Sequence, residues 1–399
     1  MRIDSNKYIS DGAAPLKASA IREMFKLMSR PEIISLAGGS PSPDLFPSEQ
    51  LSKIAGKILM TNAKTALAYG TTDGYAPFKE DVKGMVEKIN SINDNDSVLI
   101  VTGAQQGIDL AAKIILNKGD KVVVEAPSFV GTLNSLRSYQ ADLTGVPVEN
   151  DGMDTEALEK VLSENDVKLI YTIPTFQNPS GATMSLEKRK RLLELAGKYD
   201  VIIIEDNPYG DLRFSGEDVP TIKSLDTEGR VIYVGTFSKI LSPGMRLGFV
   251  VGDTGFIDRI EVVKQVNDVH TPVFTQMIAH EFMKKFDMPA HIEKSRKLYG
   301  KKAAFMCEMI DKYFPEEVTY IKPEGGIFIW CTAPEYVDTN MLHKKCIDHN
   351  VAIVPGSNFS IDIGKPTNSF RLNYSTMPDD KIEQGIAAVG TVLKEFISG

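Results

Sequence analysis

Scarcity narrows the function of this chain before any motif is read. Cysteine occurs three times in 399 residues, at Cys307, Cys331 and Cys346. There is no CxxC pair and no even framework, so the thiols are expected to pack in a reducing compartment rather than to bridge or bind zinc. Five histidines, His270, His280, His291, His343 and His349, show neither metal-ligand spacing nor a nucleophile partner, and no metal is expected. No apolar run approaches the roughly 18 residues a membrane helix needs. The opening residues, MRIDSNKYISDGAAP, lack the apolar centre of a secretory signal. The formal net charge of -8 is spread without a long single-sign block, which argues against a nucleic-acid surface. Internal repeats and low-complexity linkers are missing too. A cytoplasmic globular protein with no nucleic-acid and no membrane partner is the expectation.

What is present has the balance of a folded chain, 42% hydrophobic and 25% charged. A chain this long is expected to form about two domains and to bury roughly three quarters of its unfolded surface. Short β-branched runs at 97–102, 121–125, 168–173, 201–205, 230–235 and 247–252 read as buried parallel strands, because both faces are covered and no polar alternation is needed. Helical segments at 105–117, 155–165 and 186–198 lie between several of them. Asp154 and Ser185 stand where N-caps belong. The alternation predicts an α/β fold with a large domain at 48–280, built on a mostly parallel, doubly wound sheet.

Beyond residue 280 the texture changes to a long charged helix at 290–313, strands at 318–321, 326–331, 351–355 and 369–374, a helix at 339–349 and a final helix. Residues 281–399 therefore read as a smaller α+β domain. The first 47 residues are too short to fold alone and are expected to pack on it, so that both termini build the small domain.

Four segments carry chemistry. In Thr236-Phe-Ser-Lys239-Ile-Leu-Ser-Pro-Gly-Met-Arg246 a lysine follows a buried strand. Lysine is rarely buried without a partner, and a Schiff base to an aldehyde would supply one. Ser238 and Arg246 could hold a phosphate, the arginine through its planar fork. The strand 201–205 ends in Glu205 and Asp206, followed by Tyr209; a carboxylate at a strand's C-terminal edge can pair with a protonated pyridine nitrogen. The loop Pro174-Thr-Phe-Gln-Asn178-Pro-Ser-Gly181 offers an amide, although its turn-forming residues also suit a plain loop. Finally, Thr102-Gly103-Ala104-Gln105 joins a strand to a helix whose first N–H groups suit a phosphate.

Their order along the chain is that of a known family. The segment Ser238-Lys-x-x-x-Pro-Gly-x-Arg-x-Gly248, with Asn178-Pro-x-Gly beside it, resembles the fold-type I, class I/II aminotransferases that depend on pyridoxal 5'-phosphate. The likeness covers nearly the whole chain and is greatest to the 2-aminoadipate, kynurenine and aromatic amino-acid aminotransferases. It implies that Lys239 carries the cofactor as a Schiff base and shuttles the substrate's α-proton, while Asp206 pairs with the ring nitrogen. Tyr209 and Asn178 would hold the ring's phenolate oxygen, and Phe129 would stack on the ring. Ala104 and Gln105 (through their backbone), Thr236, Ser238 and Arg246 would surround the phosphate. Arg371 would grip the substrate's α-carboxylate, and the segment carrying Gly39 would fold over the substrate. Tyr69 matches a tyrosine that family members extend into the neighbouring subunit, which implies a homodimer with shared sites.

The likeness has departures: Phe129 stands where tyrosine is commoner, and Ala104 and Thr236 where serine often occurs. Phosphate binding is expected to persist, with fewer side-chain donors. The reaction implied is amino transfer from an L-amino acid (aromatic, 2-aminoadipate-like or branched) to a 2-oxo acid, with 2-oxoglutarate as the expected acceptor. A C–S β-lyase would use the same lysine chemistry. A ligand-sensing module would need a basic helix–turn–helix before residue 33, for which the sequence given has little room.

Overall fold

Aliphatic runs with both faces covered become strands of one wide sheet. The computed structural model describes residues 3–14, 16, 30 and 32–398; parts of the expected 1–47 arm thus lie outside the described residues. A two-residue strand, β1 (Ile34–Ser35), comes first. The strands β2 (Asp96–Val101), β3 (Lys121–Ala126), β4 (Asp142–Glu149) and β5 (Gly152–Met153) follow, and then β6 (Val167–Thr172), β7 (Ile202–Asn207), β8 (Val231–Thr236) and β9 (Gly248–Asp253). These eight pair in the order β2-β9-β8-β7-β6-β3-β4-β5. Successive side chains enter opposite cores, as a pleated strand requires: Val122 and Val124 pack with Ile204, and Val123 packs with Ile203. Helix Ala104–Ile115 covers the first face through Ile108 and Ala111, while Thr155–Glu164 and Leu186–Tyr199 cover the second. The Asp154 carboxylate accepts from the Glu156 and Ala157 N–H groups, and the Ser185 hydroxyl accepts from Lys188 N–H.

The sheet is parallel from β8 through to β4. Strand β9, read from sequence as parallel like the rest, is antiparallel to both β8 and β2. Residues 237–247 alone join β8 to β9, too few for the helical crossover a parallel return needs. Strand β4 escaped the sequence reading because Gly145 and Pro147 interrupt its aliphatic run, and both of its ends are exposed.

The remaining strands are β10 (Thr319–Tyr320), β11 (Phe328–Thr332), β12 (Val351–Ala352), β13 (Val354–Pro355) and β14 (Ser369–Asn373). Four of them form an antiparallel sheet, β10-β11-β14-β13. The run 351–355, expected as one strand, divides at Ile353: β12 pairs in parallel with β1, and β13 pairs with β14. The N-terminal segment thereby adds a strand beside C-terminal residues. Helices Met288–Tyr313 and Asp379–Ser398 pack together over this part. Helix Val273–Lys285 packs on Ser48–Thr61, Ala63–Leu67 and Ala76–Lys88. One continuous core holds Phe78 and Phe237 together with Tyr299, Phe328 and Tyr374, so the two parts are joined through packed side chains.

Candidate active site

Parallel strands leave a crevice at their C-terminal edge, and here it is filled by the loops that follow them. A cavity of about 300 Å³ opens there. Its wall includes every residue that the family likeness assigns to cofactor or substrate except Tyr69. Tyr69 is 89% exposed and meets the His270 ring edge-on at 5.8 Å.

Strand β8 delivers Lys239 into the cavity, where its Nζ donates to the Gly39 carbonyl at 2.7 Å. Burial, with the Arg371 and Arg246 cations nearby, pushes its ammonium down to about 8. Strand β7 delivers two carboxylates to opposite faces. Glu205 turns away and accepts the Ile222 and Lys223 N–H groups. Asp206 faces the cavity, and burial raises its carboxyl to about 7. Its Oδ2 accepts from the Tyr171 hydroxyl at 2.7 Å. Its Oδ1 is buried with no partner among the described residues.

An anion cradle lies at the other end. Helix Ala104–Ile115 starts after Gly103, and among the described residues no side chain caps its first N–H groups, so they are left to an anion. The Arg246 guanidinium crosses this turn, donating to Thr102 O at 3.2 Å and to Ser238 Oγ at 3.4 Å. Gly103 has φ +81°, and a Cβ there would fall 2.3 Å from Arg246 Nη2; only glycine lets the arginine lie across the helix start. Ser238 N–H donates to Thr236 Oγ1. The Gln105 side chain is turned away to Ser135 and Gly131 O, leaving its backbone at the cradle. Phe129 immediately precedes helix Val130–Ser138 on the cavity wall.

Arg371 comes from β14 in the other sheet. Its guanidinium carbon sits 3.9 Å from the centre of the Phe328 ring and 5.0 Å from that of Phe359. Nη1 donates to Asn178 Oδ1 at 2.8 Å and Nη2 to Ala37 O at 3.0 Å. Nε is buried without a partner among the described residues. Tyr209 stands edge-on to Phe328, and burial raises its phenol above the usual range.

Sequence reasoning passed over Tyr171, Phe328 and Phe359, and also Glu125, which accepts from Thr172 Oγ1, Ile173 N–H and Gln177 Nε2. The only hint was a tyrosine within one aliphatic run and a glutamate closing another.

These residues suit pyridoxal phosphate on structural grounds alone. A buried carboxylate oxygen without a donor needs one, and a protonated ring nitrogen is such a donor. The uncapped helix start with Arg246 suits the phosphate, and a lysine stripped of solvent suits the aldehyde. Fold and cavity are those of a fold-type I pyridoxal-phosphate enzyme. The family model for aminotransferase class I and II matches residues 32–389, and the chain belongs to that family. It is 41% identical to aromatic-amino-acid aminotransferase 1 of Thermococcus litoralis, over 98% of this chain and 95% of that protein. It is 37% identical to the 2-aminoadipate transaminase of Thermus thermophilus, over 97% and 96%. A crystal structure of Pyrococcus horikoshii kynurenine aminotransferase in complex with PMP, 42% identical, superposes with a TM-score of 0.94 over 98% of both chains. The chain is a pyridoxal-phosphate-dependent aminotransferase, moving an amino group from an amino acid to a 2-oxo acid.

Proposed function

We propose that the donor is an L-amino acid with an aromatic, 2-aminoadipate-like or branched side chain, that 2-oxoglutarate is the acceptor, and that Lys239 and Arg371 grip opposite ends of the substrate's α-carbon unit. The donor classes are supported by the likeness to aromatic and 2-aminoadipate aminotransferases, and the observation that carries the grip is the convergence of the two side chains. Both hydrogen-bond carbonyls of segment 37–39, Lys239 at Gly39 and Arg371 at Ala37, so one small ligand replacing those carbonyls meets both.

When bound, pyridoxal phosphate supplies an electron sink for deprotonation at the α-carbon. Lys239 anchors the cofactor and then moves that proton; an amine held to about 8 is suited to do so near neutral pH. Asp206 presents Oδ1 to the ring nitrogen and holds its proton. Tyr209 and Asn178 hold the phenolate oxygen, and Phe129 stacks on the ring. The N–H groups of Ala104 and Gln105, with Thr236, Ser238 and Arg246, bind the phosphate. Arg371 offers the carboxylate a planar fork. Segment 37–39 shields the pocket from water.

The working unit is a homodimer in the cytoplasm. Its support is an exposed apolar band, Leu67 and Tyr69 on one side and Val266 and Val269 on the other, joined by the contact of Tyr69 with His270. Tyr69, exposed and not on the wall of its own cavity, is free to enter the partner's. Among the described residues no helix is long and apolar enough to cross a membrane, and all three cysteines are free and buried.

The test is a spectral titration of the holoenzyme with single amino acids, then with 2-oxoglutarate. A donor that bleaches the chromophore, restored by 2-oxoglutarate with glutamate formed, supports the reading. Pyruvate release from cystathionine without amino transfer would overturn it in favour of the lyase.

A further inference from the structure

Behind the cavity, Asp206 is held by a side chain that sequence reading takes for core. Strands β6 and β7 run parallel with Tyr171 opposite Ile204. Asp206, two residues further on, therefore lies diagonally across from Tyr171 on the same face, within reach of a long side chain. The Tyr171 hydroxyl donates to Asp206 Oδ2 at 2.7 Å, and both residues are buried. Tyr171 packs among Leu133, Leu136 and Ile204, where an aliphatic residue would serve packing equally well. A buried hydroxyl is costly unless it is bonded, and among the described residues its acceptor is this carboxylate, with the Thr132 hydroxyl also beside it. Burial, with the Asp206 charge beside it, raises the phenol well above its ordinary range, so Tyr171 stays a neutral donor. The other titratable groups that face Asp206 are Lys239 and Tyr233 from β8 and its loop, Tyr209 after β7, and Glu125 on β3. Among the described residues none of these hydrogen-bonds its carboxylate.

We propose that Tyr171 is a positioning residue, whose hydroxyl fixes Oδ2 of Asp206 so that Oδ1 meets the cofactor's ring nitrogen as an anion. This rests on the role of Asp206 proposed above. A donor to the charged form stabilises it. Without that donor the carboxyl turns more freely and takes back the ring's proton more readily. The ring is then protonated less of the time and draws less charge from its Lys239 linkage.

Holoenzymes of wild type, Tyr171→Phe, Asp206→Asn and the double variant are compared by titrating the bound chromophore with pH, by cofactor dissociation constant, and by kcat and KM. Tyr171→Phe is expected to move the titration to higher pH and to lower kcat about tenfold, with KM for the amino acid changed much less. In the Asp206→Asn background it should add nothing, as coupled residues require. If Asp206→Asn leaves the titration unmoved, the assignment of Asp206 to the ring nitrogen fails. If it moves while a folded, loaded Tyr171→Phe stays at the wild-type position, the role of Tyr171 is overturned. Should the phenylalanine variant not fold, 3,5-difluorotyrosine at position 171 keeps the ring's shape and strengthens the donor. The titration must then move to lower pH, and no movement overturns the proposal.

Discussion

Asp206 and Lys239 face each other across the cavity with charges that burial opposes, and both leave a trace in stability. Asp206 titrates at about 7 in the fold instead of 3.8. Between those values the native state binds more protons than the unfolded one, so the cofactor-free protein loses stability as pH rises from roughly 4 to 7. Asp206→Asn removes this loss. The variant apoprotein should therefore be about 1–3 kcal/mol more stable than wild type above pH 7 and similar near pH 4, by denaturant melts across pH. The same variant should be nearly inactive. Lys239 has the opposite sign: its native value of about 8 lies below 10.5, so apoprotein stability gains from that site as pH rises from about 8 to 10. Arg371, stacked on Phe328 and bonded to Asn178, should not tolerate lysine. Arg371→Lys is expected to raise KM for the amino acid by about 100-fold with a smaller fall in kcat, by steady-state kinetics. Lys239 and Asp206 were legible in sequence as ionisable residues beside predicted strands, whereas Arg371, inside the predicted strand 369–374, was singled out only by the family likeness. Tyr171 was not, since a tyrosine in an aliphatic strand reads as core until its diagonal neighbour is known.

At the scale of elements, local chemistry was readable and non-local pairing was not. The caps Asp154 and Ser185 act within three residues of themselves, so the sequence announces them. The division of 351–355 depends on a partner far away in the chain, β1, which no window reveals, whereas the direction of β9 follows from the short link 237–247 and was missed because an aliphatic run reads the same in either direction. The cradle lies between these cases: a glycine before a helix is visible, but Arg246 crossing it is not. That crossing makes a prediction. Gly103→Ala places a Cβ against a guanidinium tied to Thr102 and Ser238, in a backbone conformation alanine dislikes. Cofactor affinity should fall by about tenfold or more, while the apoprotein loses only about 1 kcal/mol; pyridoxal-phosphate titration and melts separate the two. An unchanged affinity would mean that Arg246 can swing clear without cost to the phosphate.

For the whole molecule the question is whether one chain holds a complete site. Every residue placed on the cofactor lies in one cavity except Tyr69, which stands 89% exposed beside His270. An exposed tyrosine in an apolar band has a simple use if a second copy brings it to the neighbouring cradle. Two damaged chains then repair each other. In a mixed dimer of Lys239→Ala with Tyr69→Ala, one site has both defects and the other has the intact lysine of one chain and the intact tyrosine of its partner. Random mixing makes half of the dimers mixed, each with one intact site, so two inactive preparations should recover about a quarter of wild-type activity after subunit exchange. If Tyr69 served its own chain, every site would keep a defect and mixing would restore nothing. Sedimentation of each variant before and after exchange shows that dimers persist, so silence in the assay would count against the shared site rather than against assembly.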